Sequence, residues 1–398
     1  MEFRKQYRKC PACGCADKTV LHQMKNTMSE EVQQRTGYPA EYMIVVCDNC
    51  GMVYTDITIG VENIDAYYSK ENMYNSMSTL KSIVYRKSQE MYYSFINGYV
   101  DGNSSVLDIG CGNGSFLTFL KNKKFNNLCG IDPSPQSVKV LLENGIDGYI
   151  GSVYQCDELE ILPVDMVIST GVLEHLLLPQ EALRRMSNLM NDNGYMYVCV
   201  PAAEKYADAL MPVANFFNHE HINHFTENSL IALAESTGLE LVESNVSRAC
   251  DEIEYTINAI FKKNIVFHSV SKYDETGGVA TRAFFKNVKL EEAKTADALN
   301  KIMDLHRKIV IWGTGNYSSS ILQKYPNLRE KVLFFIDNNK DRYKEEFYNR
   351  RVCSPRILCN PIDRSIKEAT VLVCVIQAKE EIAKDIASLK IVNDVVYL

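Results

Sequence analysis

The chain has no surplus of positive charge, no long apolar run and no leader-like start, and each absence removes a class of function. Its 398 residues carry 43 Lys and Arg against 50 Asp and Glu, a net charge of −7. No long basic run offsets that balance, so a large electrostatic footprint for nucleic acid is excluded. No stretch reaches the roughly 18 apolar residues that a membrane-spanning helix needs. The opening residues, Met1 to Cys10, lack the apolar centre of a secretory signal and run straight into cysteine, so the expectation is a cytoplasmic protein with no membrane span. The chain is not poor in core-forming residues either: 46% are hydrophobic and 23% charged, which sets aside intrinsic disorder and a stapled miniprotein. At roughly 150 residues per domain, the length allows two to three domains.

What is present begins with cysteine. There are 13, and five fall at positions 10, 13, 15, 47 and 50. Cys10-Pro11-Ala12-Cys13-Gly14 and Cys47-Asp48-Asn49-Cys50-Gly51 are two C-x-x-C-G turns. Two intervening residues let both thiolates of a turn converge on one ion, and the glycine lets the backbone aim its amides at the sulfurs. In a cytosolic chain such a pattern reads as metal sooner than as disulfide. Cys10, Cys13, Cys47 and Cys50 are therefore the candidate ligands of a structural Zn2+, closed to water and substrate. Cys15 is surplus, either a free thiol or an alternative ligand. Cys129, Cys156, Cys199, Cys250 and Cys374 sit singly in apolar contexts and read as small buried hydrophobes.

Next, Val106-Leu107-Asp108-Ile109 leads into Gly110-Cys111-Gly112-Asn113-Gly114 and then the helical pattern Phe116, Leu117, Phe119, Leu120. Strand, glycine turn and helix open a doubly wound α/β domain, the glycines letting a ligand approach the backbone. The spacing is G-x-G-x-G, not the dinucleotide G-x-G-x-x-G. An acid beside the loop, Asp108, would repel a pyrophosphate but suits a cationic ligand. Asp132 closes the next strand, where a βαβ unit places an acceptor for ribose hydroxyls. The strand end 148–153, with Ser152, would flank a base. A further strand (164–170) leads to Val172-Leu173-Glu174-His175-Leu176, followed by a helix over 180–191, a turn at Asn191–Gly194 and a strand to Pro201.

This series closely resembles the class I S-adenosylmethionine-dependent methyltransferases, over roughly residues 80–245. The resemblance implies that Gly110, Gly112 and Gly114 line the cofactor and Asp132 holds its ribose. The candidate cofactor contacts are then Asp108, Gly110, Gly112, Asn113, Gly114, Asp132, Ser152, Glu174 and His175.

Asn218-His219-Glu220-His221-Ile222-Asn223-His224-Phe225-Thr226 gathers three of the chain's seven histidines. Thr226 reads as the N-cap of a helix over 228–235, which puts His219, Glu220 and His221 on the loop before it. Removing a proton needs a base, imidazole is the default, and an adjacent carboxylate can orient it. With the two C-x-x-C turns ahead and a further Rossmann-like region behind, the chain resembles the sugar C-methyltransferases, which act on nucleotide-linked deoxy-keto-sugars. That resemblance implies His221 as the base with Glu220 beside it, and an acceptor contact at Tyr74, in Tyr74-Asn75-Ser76-Met77-Ser78.

After a helical linker (287–306), Ile309-Val310-Ile311-Trp312-Gly313-Thr314-Gly315-Asn316-Tyr317-Ser318 and a strand ending at Asp337 form a second βαβ pattern, with serine in place of the third glycine. It reads as a nucleotide-sugar platform, its helix amino terminus facing a diphosphate, with Gly313, Gly315, Asn316 and Asp337 as candidate contacts. The expected organisation is α/β: a zinc-binding region (1–65), a central doubly wound Rossmann-like methyltransferase domain (66–285) and a carboxyl-terminal Rossmann-like domain (286–398), as a monomer or homodimer. The alternatives are an O-methyltransferase on another nucleotide-activated capsule precursor and a non-catalytic zinc- and nucleotide-binding scaffold.

Overall fold

Alternating and β-branched runs form the strands, and glycines allow the tight turns between them. The structure is a computed structural model. It describes residues 8–26, 33, 34, 36–70, 83–208, 213–248, 255–264, 266, 268, 273–304, 307–359, 361–375 and 379–398. Among these residues, β1 (Lys18–Lys25), β2 (Glu41–Cys47), β3 (Val53–Asp56) and the short β9 (Asn223–His224) make one antiparallel sheet in the order β1-β2-β3-β9. β2 ends on Cys47, so the strand itself delivers the second C-x-x-C turn. Only glycine fits after that turn: Gly51 has φ +80°, and a Cβ there would stand 1.9 Å from the Asp274 carbonyl oxygen.

The fourth strand of this sheet comes from far along the chain: Val53 pairs with His224 and Tyr54 with Asn223. Arg8 adds to the tie, its guanidinium donating to the carbonyls of Leu176, Leu177 and Ile222 and to Asn223 Oδ1. Residues 1–286 accordingly pack as one compact unit, with no division at residue 65, and 287–398 as another.

In the first unit, α1 (Val61–Lys70) and α2 (Ile83–Ile96) precede a seven-stranded sheet. Its elements in chain order are β4 (Ser105–Ile109), α3 (Ser115–Asn122), β5 (Asn127–Asp132), α4 (Pro135–Glu143), β6 (Asp147–Ile150), β7 (Val164–Thr170), α5 (Pro179–Asn188), β8 (Met190–Pro201), α6 (Glu227–Glu235), β10 (Leu239–Arg248) and β11 (Tyr255–Lys263). The spatial order is β10-β11-β8-β7-β4-β5-β6, with β11 antiparallel to both its neighbours and the β8-to-β6 run parallel. Helices cover both faces, so alternate strand residues enter opposite cores. Leu107 and Val167 pack on one side, Val106, Met166 and Ile168 on the other.

Three local expectations shift. Asn191–Gly194 is not a turn but the start of β8, held to β7 by the Asn191 amide on Asp165 Oδ1 (2.8 Å). Gly194 lies where a Cβ would be 2.9 Å from the Val164 carbonyl oxygen, so the glycine marks close strand approach. The linker helix α7 begins early, spanning Thr276–Asp304. Its first turn contains Gly277 and Gly278, poor helix formers that hid it. Cβ atoms there would meet Thr226 at 2.9 Å and Val46 at 3.3 Å, so close packing explains their presence.

The second unit holds a six-stranded sheet in the order β14-β15-β13-β12-β16-β17, parallel except for the edge hairpin β14–β15. β12 is Ile309–Trp312, β13 Val332–Ile336, β14 Glu346–Phe347, β15 Arg350–Cys353, β16 Thr370–Val373 and β17 Val395–Tyr397, with α8 (Asn316–Lys324) after β12 and α9 (Lys379–Ser388) after β16. Among the described residues, no helix is long and apolar enough to cross a membrane.

Candidate active site

The chain leaves β4 toward β5 and β6 on one side and leaves β7 toward β8 on the other. Strand order therefore reverses between β4 and β7, and a crevice opens at their carboxyl ends. A cavity of about 420 Å3 occupies it, bordered among others by Asp108, Gly112, Asp132, Ser152, Glu174 and His175. The three glycines of the loop do different things, although each has positive φ. Gly112 has open space where a Cβ would point. Gly110 borders the cavity too, but its backbone is crowded: a Cβ would be 2.6 Å from Val172 Cγ2. Gly114 does not border it. It caps α3, and a Cβ there would stand 2.1 Å from Leu141 Cδ1, so this glycine serves packing against α4 rather than a ligand.

Two acids face the crevice in different states. Asp132 is oriented by backbone amides, Oδ2 accepting from Gly112 N and Oδ1 from Ser134 N, each at 2.9 Å. Asp108 is fully buried, and its Oδ1 has no partner. Burial, then the Asp132 charge, pushes its carboxyl up to about 8. A cationic nucleoside fits this set: an acid with an unmet oxygen for positive charge, an acid pre-aimed for hydroxyls, and bare backbone at Gly112. Asn113 and Ser152 complete the border.

Opposite them stand the histidines. His175 ends a short 3-10 turn (Leu173–His175), with Nδ1 2.9 Å from Tyr68 Oη and 3.0 Å from the Glu220 carbonyl. A carbonyl only accepts, so this network assigns the ring hydrogen to Nδ1 and leaves Nε2 bare. His221 borders the cavity, its ring edge-on to His175 with centroids 4.9 Å apart. Burial, and next the neighbouring histidine charge, lowers His175 to about 3 and His221 to about 4, so both are neutral imidazoles at physiological pH. Glu174, His175 and His221 also bring ligand-type atoms within 4.8 Å of one another, a set able to hold a divalent cation.

His219 and Glu220, expected to share this site, do not border the cavity. Tyr67 Oη donates to Glu220 Oε1 at 2.8 Å and lies 3.0 Å from His219 Nε2. The carboxylate is thus turned onto α1 rather than onto the His221 ring. Asp65 and Tyr68, also on α1, border the cavity and were missed in sequence, where the tyrosine-rich stretch carries no spacing that separates contact from packing. Tyr74 lies outside the described residues.

At the amino-terminal cysteines, Cys10 and Cys50 Sγ are 3.6 Å apart, Cys13 and Cys47 Sγ 3.5 Å, and all four lie within 4.8 Å of one another. Four sulfurs at about 2.3 Å from one ion would stand about 3.8 Å apart, so the set fits tetrahedral zinc. Cys15 is not in the group; its thiol turns to the Asp17 carbonyl. Cys156, Cys199 and Cys374 are buried and Cys129 half-buried, while Cys250 lies outside the described residues.

In the second unit, Gly313 (φ +110°) is wedged where a Cβ would be 2.7 Å from Val375, while Gly315 has open space. Ser318, in the third-glycine position, donates to the carbonyls of Gly313 and Cys374 at 2.7 and 3.1 Å, tying α8 to two strands. Asp337 is turned onto the loop, Oδ2 accepting from Thr314 N (3.0 Å) and Oγ1 (2.6 Å), and Oδ1 from Asn339 N (2.9 Å). Asn316 opens α8.

Two family models match parts of the chain. Residues 87–244 match the family described as a methyltransferase domain, and residues 305–396 the family described as C2185-like, N-terminal. None of the curated proteins matches the chain. Among solved structures, the chain is similar to a SAM-dependent methyltransferase, possible histamine N-methyltransferase, from Thermotoga maritima, at 17% identity over 46% of this chain and 92% of that one (TM-score 0.36). It is also similar to the magnesium protoporphyrin IX methyltransferase of Synechocystis PCC 6803 with bound SAH, at 15% identity over 50% and 98% (TM-score 0.40). A TehB-like SAM-dependent methyltransferase from Corynebacterium glutamicum ATCC 13032 shares 18% identity over 44% and 87% (TM-score 0.34). Residues 87–244 form a methyltransferase domain.

Proposed function

We propose that the enzyme methylates a nucleotide-linked sugar of the kind used in deoxysugar or surface-polysaccharide synthesis, with His221 as the general base. The observation that carries this reading is a neutral imidazole, His221, on the wall of the same cavity that presents Asp108, Gly112 and Asp132. Bound S-adenosylmethionine supplies an electrophilic methyl carbon on a positive sulfur. Gly110, Gly112, Asn113, Ser152, Glu174 and His175 would line its pocket, Asp132 would accept from its ribose hydroxyls, and Asp108 would answer its positive charge. His221 would take the proton from the acceptor carbon or oxygen, whose electron pair forms the bond to the methyl carbon as the carbon–sulfur bond breaks and its pair stays on sulfur, which leaves as a neutral thioether. Holding both reactants in line supplies most of the rate. Tyr74 belongs to this reading as an acceptor contact.

In the second unit, Gly313, Gly315, Asn316 and Asp337 are proposed contacts for a nucleotide, Gly315 being open and the amino terminus of α8 favouring negative charge. The four cysteines hold a structural Zn2+.

His221→Ala is expected to bind S-adenosylmethionine with unchanged affinity by calorimetry and to lose 10²-fold or more of turnover, a magnitude usual for a general base. Wild-type turnover in that variant ends the assignment of the base. A mass-spectrometric screen of nucleotide sugars for the gain of one methylene identifies the acceptor. Product NMR then separates a C-methyl from an O-methyl group.

A further inference from the structure

We propose that Tyr67 is a positioning residue for the proton-accepting loop, acting through His219 and Glu220 on His221, which follows them. The proposal rests on the reading of His221 as the base, and it assigns Glu220 a mechanical task instead of a chemical one.

The loop that carries His221 is tied at several points. Asn218 Oδ1 accepts from both Glu220 N and His221 N at 2.8 Å, which sets the turn locally. From the cavity side, His175 Nδ1 reaches the Glu220 carbonyl at 3.0 Å. From α1, the hydroxyl of Tyr67 grips the two side chains that precede His221, donating to Glu220 Oε1 at 2.8 Å and meeting His219 Nε2 at 3.0 Å. A phenol has one hydrogen to give. With that hydrogen on the carboxylate, its oxygen accepts from His219, which assigns the His219 hydrogen to Nε2 and leaves its buried Nδ1 bare, where no partner is found.

Packing alone does not explain this tyrosine. Its ring is buried and met edge-on by Tyr38 at 5.7 Å, Tyr68 at 5.2 Å and His219 at 5.5 Å, contacts that phenylalanine would keep. The hydroxyl is what reaches the loop, and a hydrogen bond to a half-buried carboxylate is among the stronger kinds. The next residue, Tyr68, meets His175 as well, its hydroxyl oxygen accepting from Nδ1 at 2.9 Å. Two consecutive tyrosines of α1 thus hold the two segments that bring His175 and His221 edge-on at the cavity. Glu220 itself is poorly placed for proton transfer to an acceptor in the cavity, which it does not border. Its need is for an oxygen that accepts from Tyr67, and a glutamine amide provides one.

The test uses the full-length enzyme and the acceptor found by the methylene screen. Tyr67→Phe is expected to lower kcat by about 10- to 100-fold, the cost of misplacing a catalytic group by about an ångström, with S-adenosylmethionine affinity unchanged. Glu220→Ala is expected to fall similarly, while Glu220→Gln recovers most of that loss. Independently of turnover, 15N NMR of the imidazoles should show His219 as the Nε2–H tautomer in the wild type and lose that preference in Tyr67→Phe. Wild-type kcat in Tyr67→Phe, or a Glu220→Gln variant as impaired as His221→Ala, would overturn the proposal. If Tyr67→Phe does not fold, the glutamine rescue and the wild-type tautomer still decide it. Full turnover in His221→Ala, by contrast, sinks the base and leaves the tautomer result standing on its own.

Discussion

Single side chains in the crevice make separable predictions because neighbouring glycines face different things. Gly112→Ala adds a methyl in open space and strains only the backbone, by about 1–2 kcal/mol for a left-handed residue. The fold should survive while cofactor affinity, read by calorimetry, falls at least tenfold. Gly110→Ala has the same backbone strain plus a clash with the short, branched Val172 side chain, and overpacking of that kind adds about 1–3 kcal/mol. A clear drop in melting temperature is expected there first. Asp108 predicts a pH dependence. Pushed up to about 8, it holds a proton in the free enzyme at neutral pH. A cationic ligand favours the carboxylate, so binding expels that proton. Affinity should rise between pH 6 and 8, by at most about tenfold per unit, and level off above. Calorimetry in buffers of different ionisation heat would show the proton release, and a flat profile would refute it. His221, held near 4, predicts that kcat/KM for the acceptor, with S-adenosylmethionine saturating at every pH, stays level from pH 7.5 down to 5.5, with no acid limb at the ordinary histidine position.

Among the elements, α6 shows a local signal read correctly. Thr226 was recognisable as an N-cap, and its hydroxyl accepts from Ser229 N while Ser229 Oγ takes the Thr226 amide hydrogen, a complete capping box. Thr226→Ala should cost about 1 kcal/mol of stability. Because Thr226 also donates to Asp274 at the start of α7, the loss measured by denaturant titration should exceed that of an isolated cap. The entry of α7 was not legible, since two glycines in a first turn argue against a helix until the residues packed on them are known. The β9 strand was equally hidden. Two residues carry no alternation, and their pairing with β3 is a matter of what lies beside them.

At the scale of the molecule, the cysteine cluster, β3, β9 and the His221 loop belong to one unit. Treatment with a chelator, or Cys47→Ser, is therefore expected to lower the melting temperature and to reduce turnover as well, because the sheet that anchors the loop loses the cysteine cluster at its first turns. Metal analysis with scanning calorimetry checks this; full activity in metal-free enzyme would refute it. Acid should destabilise the same unit. Burial holds His175, His221 and His224 below the ordinary histidine value of 6.5. The unfolded chain then binds more protons than the folded one, so this stability is present above about 6.5 and is lost as the pH falls toward 4. The proton held by Asp108 in the same unit acts in the opposite sense, one group against three, so the melting temperature should decline from about pH 6.5 to 5.

Read alone, the sequence determined the strands β4 to β8, β12 and β13, the glycine turn, the paired acids Asp108 and Asp132, the two C-x-x-C turns and the histidine loop. All of these are short-range patterns, in which chain geometry brings neighbours together whatever the rest of the protein does. The tertiary structure decided who touches whom across long separations. It turned Glu220 onto Tyr67, 153 residues away, instead of onto its neighbour His221. It set Gly114 against Leu141, and it completed the amino-terminal sheet with a strand from the loop. Such contacts have no period or spacing to read, because they depend on which buried surfaces meet once the sheets have packed.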